Sequence, residues 1–268
     1  MELGDMNSVT AAAAPRAGRA WEAVVHLAAI ASTREAGADP GLTWNVNAGG
    51  TVRLCEALGR LRQDGMADPL LLLASSCDVY GRGTADRPRS ESDPLVPLST
   101  YASSKVAAEV AVAEAARRFG LRVIVSRPFP HTGPGQREVF VAPAFLSRLR
   151  AAARSGATEV QAGALETVRD LLDVRDVAAA YLALLERGRP GEVYNVASGV
   201  GHTLRELFDG LARLVGVSAR PLAEVTLTRP WDVPHLVGDA SRLRAATGWS
   251  PTIPFEQTLT DLVNAEAY

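Results

Sequence analysis

Short apolar runs alternate along the chain with longer stretches whose apolar residues recur at three- and four-residue spacing. That alternation is the pattern of a parallel sheet with helices laid on its faces. It predicts strands over 23–29, 70–74, 122–126 and 192–196 and a further strand near Glu159. Helices are predicted over 43–61, 100–119, 139–154 and 174–186, and others start near Thr203, Asp239 and Phe255. Gly120 reads as the C-cap of the 100–119 helix, and Pro130-His-Thr-Gly-Pro-Gly-Gln136 as a turn-rich loop without regular structure.

Composition narrows the function classes. With 268 residues, 47% of them hydrophobic, the chain has ample material for a buried core. A net charge of -2 offers no footprint for nucleic acid, and no apolar run approaches the roughly 20 residues that span a bilayer. Two cysteines, Cys55 and Cys77, form no framework and fit a reducing cytoplasm; with four histidines they show no metal-ligand spacing. The N-terminus carries no signal-peptide pattern.

Of the 28 basic residues, one is lysine, Lys105, and the other 27 are arginine. Either it survived by chance on a solvated helix face, or it does what a guanidinium cannot, since an ammonium is a compact charge that a phenol can sit beside. It closes Tyr101-Ala-Ser-Ser-Lys105, and on a helix that spacing stacks both side chains on one face. In an open parallel sheet, ligands bind beyond the carboxyl ends of the strands. The end of the 70–74 strand supplies Ser75-Ser-Cys-Asp-Val-Tyr-Gly81. A phenol beside an ammonium, with the Ser76 hydroxyl aimed at the same oxygen, is a device for proton transfer, the positive charge lowering the tyrosine pKa.

These segments, with His26-Leu-Ala-Ala29, Asn47-Ala-Gly-Gly-Thr51, Arg127-Pro-Phe-Pro-His-Thr-Gly-Pro-Gly-Gln136, Arg169-Asp-Leu-Leu-Asp-Val-Arg-Asp176, Tyr194-Asn-Val-Ala-Ser-Gly199 and Arg229-Pro-Trp-Asp-Val-Pro234, resemble the extended short-chain dehydrogenase/reductases that act as nucleotide-sugar epimerases, dehydratases and reductases. They look most like the branch that reduces GDP-4-keto-6-deoxy-mannose. The resemblance implies an α/β fold: a Rossmann-like doubly wound parallel sheet with a smaller α+β substrate-binding lobe. Residues 1–136 would form an incomplete Rossmann-type cofactor domain with the catalytic residues and 137–268 mainly the sugar-nucleotide lobe, with about 169–197 returning to the core sheet.

By the same resemblance the cofactor is NAD(P), held by Asp5, Met6, Leu27, Ala28, Ala29, Tyr101 and Lys105. Tyr101 is the general acid/base, Lys105 its electrostatic partner, Ser76 the ligand of the reacting oxygen, and Asn47 the support of a helix kink and proton relay. Ser76, Asp78, Arg169, Arg229 and Asp232 would bind substrate, the arginines gripping the diphosphate. Plainer readings stand beside these: Arg169 pairing with Asp170 on the surface, Arg229 as a solvated charge, Asp232 capping its own turn, Asn47 as a helix-interior residue bonded to backbone. His26 is read as structural and Cys77 as space-filling. The resemblance further implies a cytoplasmic homodimer.

Three departures from the family pattern bear on function. No glycine-rich turn follows a first strand, and Met1-Glu-Leu-Gly-Asp5-Met6 looks like the family's third strand end, which places about fifty to sixty residues of the family's usual βαβ start outside the chain. The chain is therefore expected to be either part of a longer product or a homologue that does not hold NAD(P) in the usual way. Pro130 stands where the branch has an asparagine. Asp78 stands where dehydratases carry a longer acid, which favours reduction of a carbonyl, with 4-epimerisation, 4,6-dehydration or non-catalytic sugar-nucleotide binding as the alternatives.

Overall fold

A computed structural model of the chain describes residues 6–13, 21–223 and 233–265. In chain order the elements are α1 (Met6–Ala13), β1 (Ala23–His26), α2 (Thr33–Ala38), α3 (Pro40–Trp44), α4 (Gly50–Gln63), β2 (Leu70–Ala74), α5 (Thr100–Phe119), β3 (Val123–Pro128), β4 (His131–Thr132), α6 (Val141–Ser155), β5 (Glu159–Ala162), β6 (Val168–Asp170), β7 (Leu172–Asp173), α7 (Val174–Arg187), β8 (Val193–Val196), β9 (Gly201–Thr203), α8 (Leu204–Val215), β10 (Arg220–Ala223), β11 (His235–Leu236), α9 (Ser241–Thr247) and α10 (Phe255–Asn264).

Among the described residues, four strands, in the order β1-β2-β3-β8 and all parallel, make the central sheet. Successive side chains of a strand point to opposite faces, so a continuous apolar run serves two cores at once. Leu70, Leu72 and Ile124 face a core with Val177, Leu184 and Leu243. Leu71, Leu73, Val123 and Val125 face the other, with Leu54 and Leu58 of α4 and Ala108 and Val112 of α5. A third core lies between α6, α8, α10 and β5, around Phe145, Leu149, Phe208 and Leu211. Beside the main sheet are the pairs β5-β10 and β4-β7 and the triple β11-β6-β9.

The α/β class and the parallel sheet agree with the hydrophobic pattern. The expected single helix over 43–61 is instead α3, one turn of π-helix at Asn45–Gly49, and α4. The 23–29 strand stops at His26, and Leu27 beyond it is 59% exposed. Pro130–Gln136 is not wholly irregular, because His131 and Thr132 pair with Leu172 and Asp173. Met6, expected at a strand end, opens helix α1.

Candidate active site

Helix α5 starts where Ser99 accepts the Ala102 amide and stops at Gly120, whose φ of 70° is the left-handed conformation that glycine adopts without strain. Its buried stripe runs through Tyr101, Lys105, Ala108, Glu109 and Val112, so the helix lays its tyrosine and lysine against the carboxyl end of β2. There the chain turns sharply. Ser76 accepts the Asp78 amide at 3.2 Å and caps a short 3-10 turn, Cys77–Tyr80. Gly81 then takes a φ of 67°, where any Cβ would collide with the Val96 carbonyl.

The result is a cleft of about 430 Å³ lined from one side by Ser76, Asp78 and Tyr101, from the segment after β3 by Phe129, Pro130, His131 and Thr132, and from β6 by Arg169. Ser76 and Tyr101 line the same wall of this cleft. Lys105 Nζ lies 5.9 Å from the Tyr101 ring centre and donates to the Ala74 carbonyl at 2.8 Å. The phenol is held above its ordinary range by burial, with the Asp78 carboxylate adding to the effect. This departs from the expectation that Lys105 lowers the tyrosine pKa: in the protein without ligand, desolvation of phenolate dominates and Tyr101 keeps its proton. Burial likewise brings Lys105 down to about 8 against the pull of Glu109.

Asn47 sits in the π-helical turn. Its Oδ1 accepts the Ile30 amide at 2.8 Å, and its Nδ2 donates to the Ile30 carbonyl at 3.1 Å and to Ser104 Oγ at 2.9 Å. Ser104 donates in turn to the Tyr101 carbonyl at 2.7 Å. Asn47 thus ties the chain after β1 to the catalytic-candidate helix rather than to its own helix backbone. His26 shares a 3.0 Å hydrogen bond with Thr51 and is lowered to about 4 by burial and by the nearby ammonium, so it is neutral. Burial pushes the Cys77 thiol well up, which leaves it inert packing.

Other expected residues are dispersed. Leu27 and Ala28 line a separate cavity of about 350 Å³ beside β1, with Trp21 and Leu54, and Ala29 is half-buried next to them. Met6 lies at the start of α1. Asp5, Arg229 and Asp232 lie outside the described residues. Arg169 does not form the surface pair with Asp170: its Nη1 donates to the Val168 and Val233 carbonyls at 2.9 and 2.6 Å, while Asp170 is fully buried and bonded to Ser198, Gly199 and Gly238.

A buried network behind the cleft was not singled out from the sequence. Glu109 binds Arg127 through two oxygens, at 2.9 and 2.7 Å, and accepts from Ser75 Oγ at 2.5 Å. The readable signal was the same helical spacing applied once more, which puts a glutamate four residues beyond Lys105 on a stripe otherwise destined for burial.

Comparison with known proteins bears on the family and the fold. The model of the NAD dependent epimerase/dehydratase family matches residues 3–197. GDP-6-deoxy-D-mannose reductase of Pseudomonas aeruginosa is 37% identical over 246 residues, which are 91% of this chain and 79% of that protein. GDP-mannose 4,6 dehydratase 2 of Arabidopsis thaliana is 29% identical over 85% of this chain and 61% of its own length. The structure of RMD from Pseudomonas aeruginosa complexed with NADPH superposes with a TM-score of 0.85 at 35% identity, covering 98% of this chain and 85% of that one. A family model spanning most of the chain, and a fold shared to this extent, lead to one conclusion: the chain belongs to the NAD dependent epimerase/dehydratase family.

Proposed function

We propose that the chain is an NAD(P)-dependent oxidoreductase that reduces the keto group of a nucleotide sugar, in the first place a GDP-4-keto-6-deoxy-hexose at C4. The observation that carries this reading is a buried Tyr101 that lines one cleft with Ser76 at the carboxyl end of a parallel sheet, one helical turn from a Lys105 bonded to the same strand end. The 37% identity to a GDP-6-deoxy-D-mannose reductase supports the substrate class.

Two sides would hold the nicotinamide end of the cofactor: Tyr101 and Lys105 of α5 would offer a phenol and an ammonium as donors, and Leu27, Ala28 and Ala29 after β1 would offer apolar surface from the neighbouring cavity. Bound there, the cofactor supplies the hydride. Tyr101 gives its phenolic proton to the carbonyl oxygen as that oxygen gains charge, and Ser76 donates to the same atom and orients it. Burial keeps the phenol protonated, which suits an acid better than a base. Lys105 supplies the positive charge that steadies the phenolate left behind. Arg169 grips the diphosphate and Asp78 accepts from a sugar hydroxyl. In this reading residues 1–136 carry the cofactor side and 137–268 mainly the sugar nucleotide, and the protein works as a cytoplasmic homodimer.

The test is NADPH oxidation with GDP-4-keto-6-deoxy-mannose. Tyr101→Phe is expected to lower kcat by about 10²- to 10⁴-fold while sugar-nucleotide binding persists. Retained turnover overturns the role of Tyr101. Tightly kept NAD⁺ with turnover of a 4-hydroxy sugar nucleotide would replace reduction by epimerisation or 4,6-dehydration.

A further inference from the structure

Glu109 takes no part in the reaction just described, yet its three hydrogen bonds all run to the frame of the site. It is buried one helical turn beyond Lys105. Ser75, which donates to it at 2.5 Å, stands between Ala74, whose carbonyl receives the Lys105 ammonium, and Ser76. Arg127, from β3, clamps the same carboxylate through Nε and Nη2 and passes Nη1 to the Tyr80 hydroxyl at 3.0 Å. Tyr80 closes the 3-10 turn that Ser76 opens, and it donates to Asn195 on β8 at 2.7 Å. Two successive turns of α5 therefore grip successive residues of the β2 end.

We propose that Glu109 is a positioning residue for Ser76, Tyr101 and Lys105: it fixes the Ala74–Ser76 strand end against α5 and keeps Lys105 a charged ammonium bonded to Ala74, while Arg127 holds the carboxylate in place. The proposal rests on the reading of those three residues as the reacting group. Its physical basis is that a buried ammonium needs a nearby anion to stay charged. The ionisable groups on the elements around Lys105 are Tyr101 and Glu109 from α5, His26 from β1, Cys77 and Asp78 from the turn after β2 and, beyond Glu109, Arg127 from β3. His26, Tyr101 and Cys77 are neutral, Arg127 is a cation and the Asp78 carboxylate acts on Tyr101, so among the described residues Glu109 is the anion that offsets the burial of Lys105. An ion pair serving stability alone would need no third bond to the strand that carries the reacting serine.

Because Lys105 is the one lysine of the chain, ¹³C-labelled lysine gives a single side-chain resonance whose titration reports on it directly, with no substrate present. Glu109→Gln is expected to lower the Lys105 midpoint by about one unit or more, and Glu109→Asp, which keeps the charge, to bring it back toward the wild-type value. Ser75→Ala keeps the charge and cuts the tether: the midpoint stays, and kcat for the NADPH-dependent reduction falls about tenfold with KM little changed. An unchanged midpoint in Glu109→Gln, or undiminished kcat in Ser75→Ala, overturns the proposal. Should Glu109→Gln not fold with Arg127 left alone, Ser75→Ala, which leaves both charges in place, decides by its kcat. If the wild-type protein shows no reductase turnover, the reductase reading fails, while the titration still decides the role of Glu109.

Discussion

Lys105 illustrates how a candidate site residue is held at the expense of the fold. Its ordinary pKa of 10.5 falls to about 8 on burial, so the charged form is disfavoured in the folded protein by about 3 kcal/mol. Below about pH 8 both folded and unfolded chains hold this proton and the burial penalty is in force. Between about 8 and 10.5 the unfolded chain binds more protons than the folded one, so stability rises with pH. Lys105→Met is therefore expected to stabilise the protein at neutral pH by about 2 kcal/mol, net of the lost bond to Ala74, while removing activity. The gain should shrink as pH rises through that window. Urea midpoints for both proteins at about pH 7 and about pH 10 check this; a variant that is less stable at neutral pH would contradict it.

Helix pairing explains why one predicted helix became three pieces. Along 43–61 the apolar spacing is continuous, so sequence periodicity has no means of registering a turn with one extra residue. The π-helical turn at Asn45–Gly49 swings the Asn47 amide onto Ile30 and Ser104, contacts made with residues 17 and 57 positions away. Farther along, α4 and α5 approach closely enough that a Cβ on Gly59 would run into the Phe119 ring. Gly59→Ala is a gain of helix propensity on its own helix, worth up to about 1 kcal/mol. It is nevertheless expected to destabilise the protein by about 1–3 kcal/mol, because overpacking at the crossing outweighs propensity. Thermal unfolding distinguishes the two, since propensity alone would raise Tm. The two- and three-residue strands β4, β6, β7, β9 and β11 were not readable for a related reason: segments that short carry no period, and partners distant in sequence create them.

At the scale of the molecule, Asp170 joins parts that are far apart in the chain. Its carboxylate accepts from the Ser198 amide and hydroxyl, the Gly199 amide and the Gly238 amide, at 2.6–3.2 Å, while it ends the strand that begins with Val168 and carries Arg169. It thereby ties the strand that brings Arg169 to the cleft to the turn after β8 of the central sheet. Asp170→Asn turns one acceptor toward donors as another donor and is expected to cost about 2–4 kcal/mol and to weaken sugar-nucleotide binding along with stability. Denaturant unfolding and calorimetric titration with GDP check it; full stability would show that the junction is held by packing alone.

Much of this protein was legible in its residues because the relevant physics is local. Alternating apolar runs and helical stripes specify a parallel α/β sheet, and the four-residue spacing of Tyr101 and Lys105 puts both on one helix face wherever that helix is packed. The position of Ser76 just past an apolar run marks a strand end at which ligands bind. Protonation was not legible: Tyr101 is held above its ordinary range and Lys105 below its own, because burial, which the linear chain does not display, is the largest influence on each. Nor was the Glu109–Arg127 clamp, whose members lie 18 residues apart and meet only when β3 pairs with β2 beneath α5. Local pattern selected the fold and the candidate chemical groups. Tertiary packing decided which of them carry charge and what holds them still, since desolvation and cross-strand pairing exist only once the sheet has formed.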